Sequence, residues 1–128
     1  MICLIVFLLS ATLQTSQAPH DLTWQYTIVS TPDFREGGFR GDDPGFEPLA
    51  EISVNKPTKA PTKARMAAWL EAIVDAEGKT AVERTIAASS PEGEQAARQI
   101  INSWRFQPAR LDGKPIRVRI GIEIFQRP

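Results

Sequence analysis

The most regular hydrophobic pattern of the chain lies near its C-terminal end. Between Ile116 and Phe125, apolar residues alternate with polar or charged residues almost without error. A period of two is typical of a β-strand that buries one face. The apolar positions are Ile116, Val118, Ile120, Ile122 and Ile124, and the opposite face carries Arg117, Arg119 and Glu123. We predict a strand with one buried face and one charged face.

Two further strands are predicted from residues 67–75 and 80–88, which are largely apolar or alternate in polarity. Asp75 begins the short segment between them, and Gly78 within that segment is free to adopt a positive φ angle. These residues are typical of a turn between antiparallel strands. We therefore expect a β-hairpin in this region.

An amphipathic helix is predicted between the hairpin and the last strand. Ser90 is a favourable N-cap, and Pro91 suits the first helical position. Apolar residues then recur at spacings of three and four, which places them on one helical face. These residues are Ala96, Ala97, Ile100, Ile101 and Trp104. Pro108 prevents the helix from continuing.

The order of strand, strand, helix and strand indicates an α+β fold. We expect a three-stranded antiparallel sheet with the first strand of the hairpin in the middle and one main helix packed on one face. In this arrangement the last strand lies at an open edge of the sheet, where its outward N–H and C=O groups have no strand partner.

The N-terminal half is less regular. Residues 22–28 alternate as a half-buried strand does, whereas residues 30–48 are dense in glycine, proline and aspartate, which favour turns. Residues 49–54 fit either a short strand or a turn of helix, and the basic, proline-spaced residues 55–63 indicate an extended linker. We therefore divide the chain into an N-terminal extension and linker at 19–60 and a folded domain at 61–128.

The first residues of the chain indicate export. Residues 1–13 are apolar but shorter than the roughly 20 residues that a membrane span needs. Small residues end this segment at Ala18, so residues 1–18 are predicted to be a signal peptide. Pro19 disfavours cleavage at that point, and a retained segment would act as a short membrane anchor.

The composition argues against catalysis and against nucleic acid as a partner. The formal net charge is zero, so no overall field attracts nucleic acid. Cys3, the single cysteine, lies in the signal segment, and His20 is the single histidine. Neither a catalytic triad nor a histidine metal cluster can form from so few groups. Asp42 and Asp43 lack the ligand spacing of a calcium loop. We expect no enzyme activity, no cofactor and no metal.

Several short motifs occur in a fixed order. Residues 104–109 read W-x-F-x-P-A, and residues 112–115 read D-G-x-P. A D-x-x-G turn at 75–78 and a serine pair at 89–90 precede them. Over about residues 61–126, this order resembles the C-terminal domain of TonB-type energy transducers. The signature residues are Trp104, Phe106, Pro108, Asp112, Gly113 and Pro115. We expect the two aromatic residues to fix the helix onto the sheet and the others to shape a turn.

The resemblance implies a binding role in the periplasm, either as a free protein or attached to the inner membrane. Such domains bind an extended segment of an outer-membrane receptor as an added strand near the last strand. The candidate partner-binding residues on that strand are therefore Arg117, Arg119, Gly121 and Glu123. The two arginines fit equally well as charges that protect the edge against aggregation. As an alternative function, the domain associates with itself through its sheet edges as a homodimer, without a receptor.

Overall fold

The computed structural model of the chain describes residues 21–31, 44–61, 63 and 66–126. The predicted signal segment at 1–18, together with Cys3, His20, Asp42 and Asp43, lies outside these residues. No helix among the described residues is long and apolar enough to cross a membrane.

The described residues form nine strands and one helix. In chain order these are β1 (Leu22–Ser30), β2 (Phe46–Glu47), β3 (Ala50–Ser53), β4 (Ala68–Val74), β5 (Thr80–Ala88), α1 (Pro91–Asn102), β6 (Arg105–Gln107), β7 (Arg110–Leu111), β8 (Lys114–Pro115) and β9 (Val118–Gln126). The predicted hairpin, helix and last strand are all present. Residues 49–54, which fitted either a strand or a helical turn, contain the short strand β3.

The main sheet is antiparallel and has the strand order β1-β9-β4-β5. The prediction of a three-stranded sheet is therefore wrong in strand number. The strand β4 does lie between β5 and β9 as expected, but β1 pairs with the other side of β9 from Leu22↔Gln126 to Ile28↔Ile120. The alternating apolar residues of β1 continue the buried face of β9, so one more strand extends the same core.

Two small sheets join the N-terminal half of the chain to the segment after the helix. The strand β2 pairs with β7 in a three-stranded sheet that ends with β8, and β3 pairs with β6. With β1 in the main sheet, residues on both sides of the predicted boundary at 60/61 contribute to the same fold.

The helix forms as its capping residues predict. The Ser90 side chain accepts a hydrogen bond from the Gly93 amide at 2.9 Å, and a proline occupies the start of the helix. The helix ends before Trp104, whose amide donates to the Ile101 carbonyl at 3.0 Å. Ala97 and Ile101 are buried against the sheet. The small alanine allows close approach of the helix to the strands.

The core lies between the helix-facing side of the main sheet and the segments that cover it. An aromatic cluster of Trp24, Tyr26, Trp104 and Phe106 forms its centre, with neighbouring ring centroids 5.5–6.2 Å apart. These separations are within the range of favourable aromatic pairs. The opposite side of the sheet, called the outer face below, carries the half-exposed Trp69.

Candidate partner-binding edge

The strand predicted to bind a partner does not lie at an edge of the sheet. The strand β9 pairs with β1 on one side and with β4 on the other. Gly121, for example, lies opposite both Thr27 and Glu71, and Glu123 lies opposite both Gln25 and Trp69. The edge position expected for the last strand is thus corrected, because β1 occupies it.

Arg119 makes contacts within the chain on the outer face. Its Nε donates to Glu83 Oε1 at 2.8 Å, and its Nη1 donates to Ser30 Oγ at 2.7 Å. These bonds connect β9 with β5 and with β1. The hydrogen bond from Arg119 also lowers the pKa of Glu83 below its ordinary value. The guanidinium therefore links β9 with β5 and β1 on the outer face of the sheet.

The other three predicted partner-binding residues lie in different surroundings. Arg117 precedes β9 at an exposed position, and Glu123 is exposed on the outer face. Gly121 is buried, and a Cβ atom there would lie 3.2 Å from Val29 Cγ1. The absence of a side chain at Gly121 leaves room for the Val29 side chain beside it.

The open edge of the main sheet on this side belongs to β1. The Leu22 amide donates to the Thr58 carbonyl at 2.7 Å and therefore points away from β9. In an antiparallel strand, the N–H and C=O of one residue point to the same side, and successive residues alternate. The main-chain groups of Trp24, Tyr26 and Ile28 therefore also point away from β9. No strand among the described residues pairs with this side of β1.

Both ends of this stretch are defined by the structure. At one end, the outward amide of Leu22 is already bonded to Thr58. At the other end, the register shifts between Ile28 and Ser30, so Val29 interrupts the regular pairing. Residues 24–28 between these two points are called the open edge below. They direct three N–H groups and three C=O groups to a side with which no described strand pairs.

The strand β1 lacks the features that usually protect an edge. Its sequence, LTWQYTIVS, contains no charged residue and no proline. Natural edge strands are commonly protected by charges, prolines or bulges, and residues 24–28 lie ahead of the single irregularity at Val29. An edge of this kind is a favourable place for another strand to pair.

The opposite edge of the sheet, on β5, is protected in several ways. The register of β5 shifts twice against β4, which leaves Glu83 and Ile86 without a residue opposite them. The amide of Val82 donates to Asn102 Oδ1 at 2.8 Å, so the end of the helix occupies that outward group. Arg84 adds a charge on this strand. Strand addition is therefore much less favourable on β5 than on β1.

The strand β1 is held firmly by residues 51–58, called the strap below. Trp24 Nε1 donates to the Pro57 carbonyl at 2.8 Å. The Tyr26 hydroxyl donates to Glu51 Oε2 at 2.5 Å, and Lys56 Nζ donates to the same oxygen at 2.9 Å. Lys56 Nζ also lies 5.4 Å from the centroid of the Tyr26 ring. These contacts fix the helix-facing side of β1 beside the open edge.

The polar contacts of the strap shift two pKa values. Burial raises the pKa of Tyr26, and the hydrogen bond to Glu51 raises it further. The hydrogen bonds that Glu51 accepts, first from Tyr26 and then from Lys56, lower the pKa of that carboxyl. At neutral pH the tyrosine is therefore a neutral donor and the glutamate an ionised acceptor, which is the arrangement that the strap requires.

The signature residues connect the two halves of the chain. Trp104 and Phe106 are buried, and Trp104 Nε1 donates to the Asn55 carbonyl at 2.8 Å. Asp112 and Gly113 both have positive φ angles, at 53° and 81°, in the turn between β7 and β8. The Asp112 amide donates to the Gly45 carbonyl at 2.9 Å. The remaining signature residues, Pro108 and Pro115, are half-buried and exposed, respectively.

The described residues contain no group of three or more histidine, cysteine, aspartate or glutamate side chains that could hold a metal ion. What the site offers is main-chain hydrogen bonding along a strand, flanked by uncharged side chains. Sequence patterns predicted β1 as a strand but gave no sign of its partner. The run of nine residues without a charge was the one signal that could have marked it as the exposed edge.

Comparison with known protein families supports the resemblance. Residues 68–125 match the family model described as Gram-negative bacterial TonB protein C-terminal. The matched range includes β4, β5, the helix and β6 to β8, with nearly all of β9, but not β1 to β3. No curated protein and no solved structure matches the chain. Residues 68–125 therefore form a TonB C-terminal-like domain, a type of domain that is associated with TonB-type transport at the cell envelope.

Proposed function

We propose that this protein is an exported, periplasmic binding domain of TonB-type transport, which takes an extended segment of an outer-membrane receptor as an added strand. The observation that carries the proposal is the position of β1, an uncharged strand at the end of the main sheet. The family match supports a protein partner. The edge of β1 contributes main-chain hydrogen-bonding groups, which suit the binding of an extended segment.

The partner strand binds at the open edge of β1. Main-chain hydrogen bonds to Trp24, Tyr26 and Ile28 supply the affinity, as in other cases of strand addition. Specificity comes from the side chains beside this edge, which are Gln25 and Thr27 on the outer face and Tyr26 on the side of the strap.

The four residues that the sequence predicts to bind a partner take indirect roles in this proposal. Glu123 lies opposite Gln25, one strand inside the edge, and adds a negative charge near the partner. Gly121 and Arg119 maintain the outer face, through the contact with Val29 and through the bonds to Ser30 and Glu83. Arg117 precedes the same strand at an exposed position, where it adds a positive charge.

A partner could bind in two ways, by addition to β1 or by displacement of β1 from β9. Addition is favoured because Leu22 and Trp24 are buried and the strap holds the strand. A disulfide between β1 and β9 distinguishes the two. Gln25→Cys and Glu123→Cys place two thiols at exposed, directly opposite positions, where Cα separations of about 5.5 Å allow a disulfide.

The experiment compares the oxidised and reduced forms of this double variant, with Cys3→Ser removing the native thiol. A peptide from the periplasmic segment of a TonB-dependent receptor is titrated, and amide shifts are followed by NMR. Equal affinity in both forms, with shifts at Trp24, Tyr26 and Ile28, supports addition. Loss of binding in the oxidised form alone, with shifts along residues 115–126 in the reduced form, overturns it in favour of displacement.

The proposed location is tested separately. Fractionation of the native host should recover the protein from the periplasm without residues 1–18, or from the inner membrane if that segment is retained. Recovery from the cytoplasm with residues 1–18 intact contradicts the proposal. The alternative function, self-association without a receptor, is favoured by the same uncharged edge.

A further inference from the structure

Glu123 is a charged residue of the outer face whose side chain forms no ion pair with any described residue. It lies directly opposite Gln25 of β1 on one side and Trp69 of β4 on the other. We propose that the segment added to β1 carries a lysine or an arginine beside Gln25, and that this cation binds at Glu123. The inference rests on the proposed function, and it makes Glu123 the residue that selects a basic partner segment.

Charged groups on both sides of β1 are already paired within the chain. On the outer face, Arg119 Nε donates to Glu83 Oε1 at 2.8 Å. On the side of the strap, Lys56 Nζ and Glu51 Oε2 form an ion pair at 2.9 Å. The strand β1 itself carries no charge. In contrast to these paired groups, the Glu123 carboxylate is left to act on the charge of a bound segment.

Two half-exposed aromatic side chains flank Glu123 on the same face. Trp69 is 47% exposed, and Phe125 is 42% exposed. The indole Nε1 of Trp69 lies 3.8 Å from the position that a Cβ atom on Gly121 would occupy, so this ring reaches across to β9. Aromatic rings attract ammonium and guanidinium groups, and they also pack against the apolar stems of lysine and arginine. The carboxylate and the two rings together suit a long basic side chain.

The spacing of the strands also fits a long side chain. Adjacent strands lie about 4.8 Å apart, so the added strand lies about 10 Å from β9, with β1 between them. Directly opposite residues of paired strands place their side chains on the same face. The side chain beside Gln25 therefore points to the outer face and passes over Gln25 to meet Glu123. Lysine and arginine have stems of this kind, whereas a glutamate there would bring two like charges together.

The preference for a cation is confined to one position within the open edge. The other outer-face position of this edge lies beside Thr27, which is opposite Gly121 and therefore adjacent to no side-chain charge on β9. The residues immediately before and after the one beside Gln25 point to the strap, where Lys56 and Glu51 already neutralise each other. A basic residue at any of these positions gains little.

A charge scan of the receptor peptide tests the inference. The peptide is made with a single lysine or a single glutamate at each position in turn, and its affinity is measured for the parent, Glu123→Gln and Glu123→Lys. With the parent, lysine at one position should tighten binding about twofold to fivefold, as a cross-strand pair of opposite charges does. Lysine at the two neighbouring positions should give no gain.

The variants show whether Glu123 is the cause of that gain. Glu123→Gln should abolish it, and Glu123→Lys should transfer it to the glutamate peptide. The matched control is Glu77→Gln, which removes an exposed carboxylate from the turn between β4 and β5 and should keep the full gain. Equal gains at every peptide position, or a gain that survives Glu123→Gln, overturn the inference.

A second measurement needs no substitution in the protein. The advantage of the lysine peptide over the unmodified peptide should shrink as salt rises from 0.1 M to 1 M, because the Debye length falls from about 10 Å to about 3 Å. An advantage that does not depend on salt contradicts the inference. The two proposals fail in different ways: if no peptide binds, the proposed function fails and this inference with it. If all peptides bind equally whatever their charge, strand addition stands and the role of Glu123 alone is refuted.

Discussion

Trp104 Nε1 donates a hydrogen bond of 2.8 Å to the carbonyl oxygen of Asn55, which lies 49 residues earlier in the chain. The tryptophan belongs to the segment that matches the TonB family, whereas Asn55 lies before it. Trp104 therefore packs between the helix and the sheet and also holds the strap over the aromatic cluster. The folded unit extends well beyond the matched residues, because the core needs both parts.

Replacing Trp104 with alanine should strongly destabilise the protein. The side chain is fully buried among Trp24, Tyr26 and Phe106. Deleting a buried aromatic side chain typically costs about 3–5 kcal/mol in the free energy of unfolding. Denaturant unfolding followed by circular dichroism measures the change. A matched control is Trp69→Ala, because Trp69 is 47% exposed on the outer face and should cost far less. Equal losses from the two substitutions would place Trp104 outside the core.

Replacing Gly78 with alanine should be more harmful than the same change at Gly113. Both glycines have similar positive φ angles, 87° and 81°, which disfavour residues with a side chain. A left-handed conformation costs about 1–2 kcal/mol for such residues. At Gly78, however, the new Cβ would also lie 1.8 Å from the Phe106 carbonyl oxygen, whereas at Gly113 no atom lies within 4 Å.

The measurement is a comparison of thermal midpoints for the two variants and the parent. We expect Gly113→Ala to lower the midpoint slightly and Gly78→Ala to lower it further, since the Phe106 amide also bonds to the Gly78 carbonyl at 2.9 Å. If the two variants melt together, the close approach of the hairpin turn to β6 is not present in solution.

Local features of this fold could be predicted from the sequence, and long-range pairing could not. The turn at Gly78, the N-cap at Ser90 and the alternation from Val118 to Ile124 depend on residues a few positions apart. The pairing of β1 with β9 joins segments at opposite ends of the described chain. Alternation shows which face of a strand is buried, but it does not show how many neighbours the strand has. The pattern of the last strand, with one buried face, is therefore equally compatible with an edge and with an interior position. For this reason the sequence predicts Arg119 at a binding edge, whereas in the structure it links β9 with β5 and β1.

Stability should decrease in acid as two carboxyls become protonated. The pKa of Glu51 is lowered by hydrogen bonds from Tyr26 and Lys56, and the pKa of Glu83 is lowered by the bond from Arg119. A carboxyl whose pKa is lower in the folded state than in the unfolded state stabilises the fold at any pH above its ordinary pKa of about 4.5. This contribution is lost as the pH falls through the pKa of the folded state. We expect a free energy of unfolding that is steady near neutral pH and declines below about pH 4.5. The decline should be modest because both carboxyls remain accessible to solvent, which screens their interactions.

The checking measurement is denaturant unfolding across this pH range for the parent, Glu51→Gln and Glu83→Gln. Each variant should be somewhat less stable than the parent at neutral pH and should show a shallower decline in acid, because one shifted carboxyl has been removed. An unchanged slope in both variants would mean that neither hydrogen bond persists in solution.

A fragment that contains only residues 61–128 should fold poorly, although it includes the whole family match. Removing the preceding residues uncovers the side of β9 that pairs with β1 and the face of the aromatic cluster that the strap covers. It also deletes the apolar side chains of Leu22, Trp24, Tyr26 and Ile28, which pack in or against the core. Full burial of one large apolar side chain contributes about 1.5–3 kcal/mol, whereas the net stability of a typical domain is about 5–15 kcal/mol. The loss is therefore comparable to the whole stability of the domain.

Thermal unfolding of the 61–128 fragment, compared with a 21–128 fragment as the matched control, tests this expectation. The longer fragment should unfold cooperatively near the midpoint of the full chain, and the shorter one should show a broad or absent transition. Adding residues 21–60 as a separate peptide should restore cooperative unfolding, since Trp24 and Trp104 then regain their bonds to the strap. A cooperative 61–128 fragment with an unchanged midpoint would show that β1 is dispensable, and β9 would then be an edge strand available to a partner.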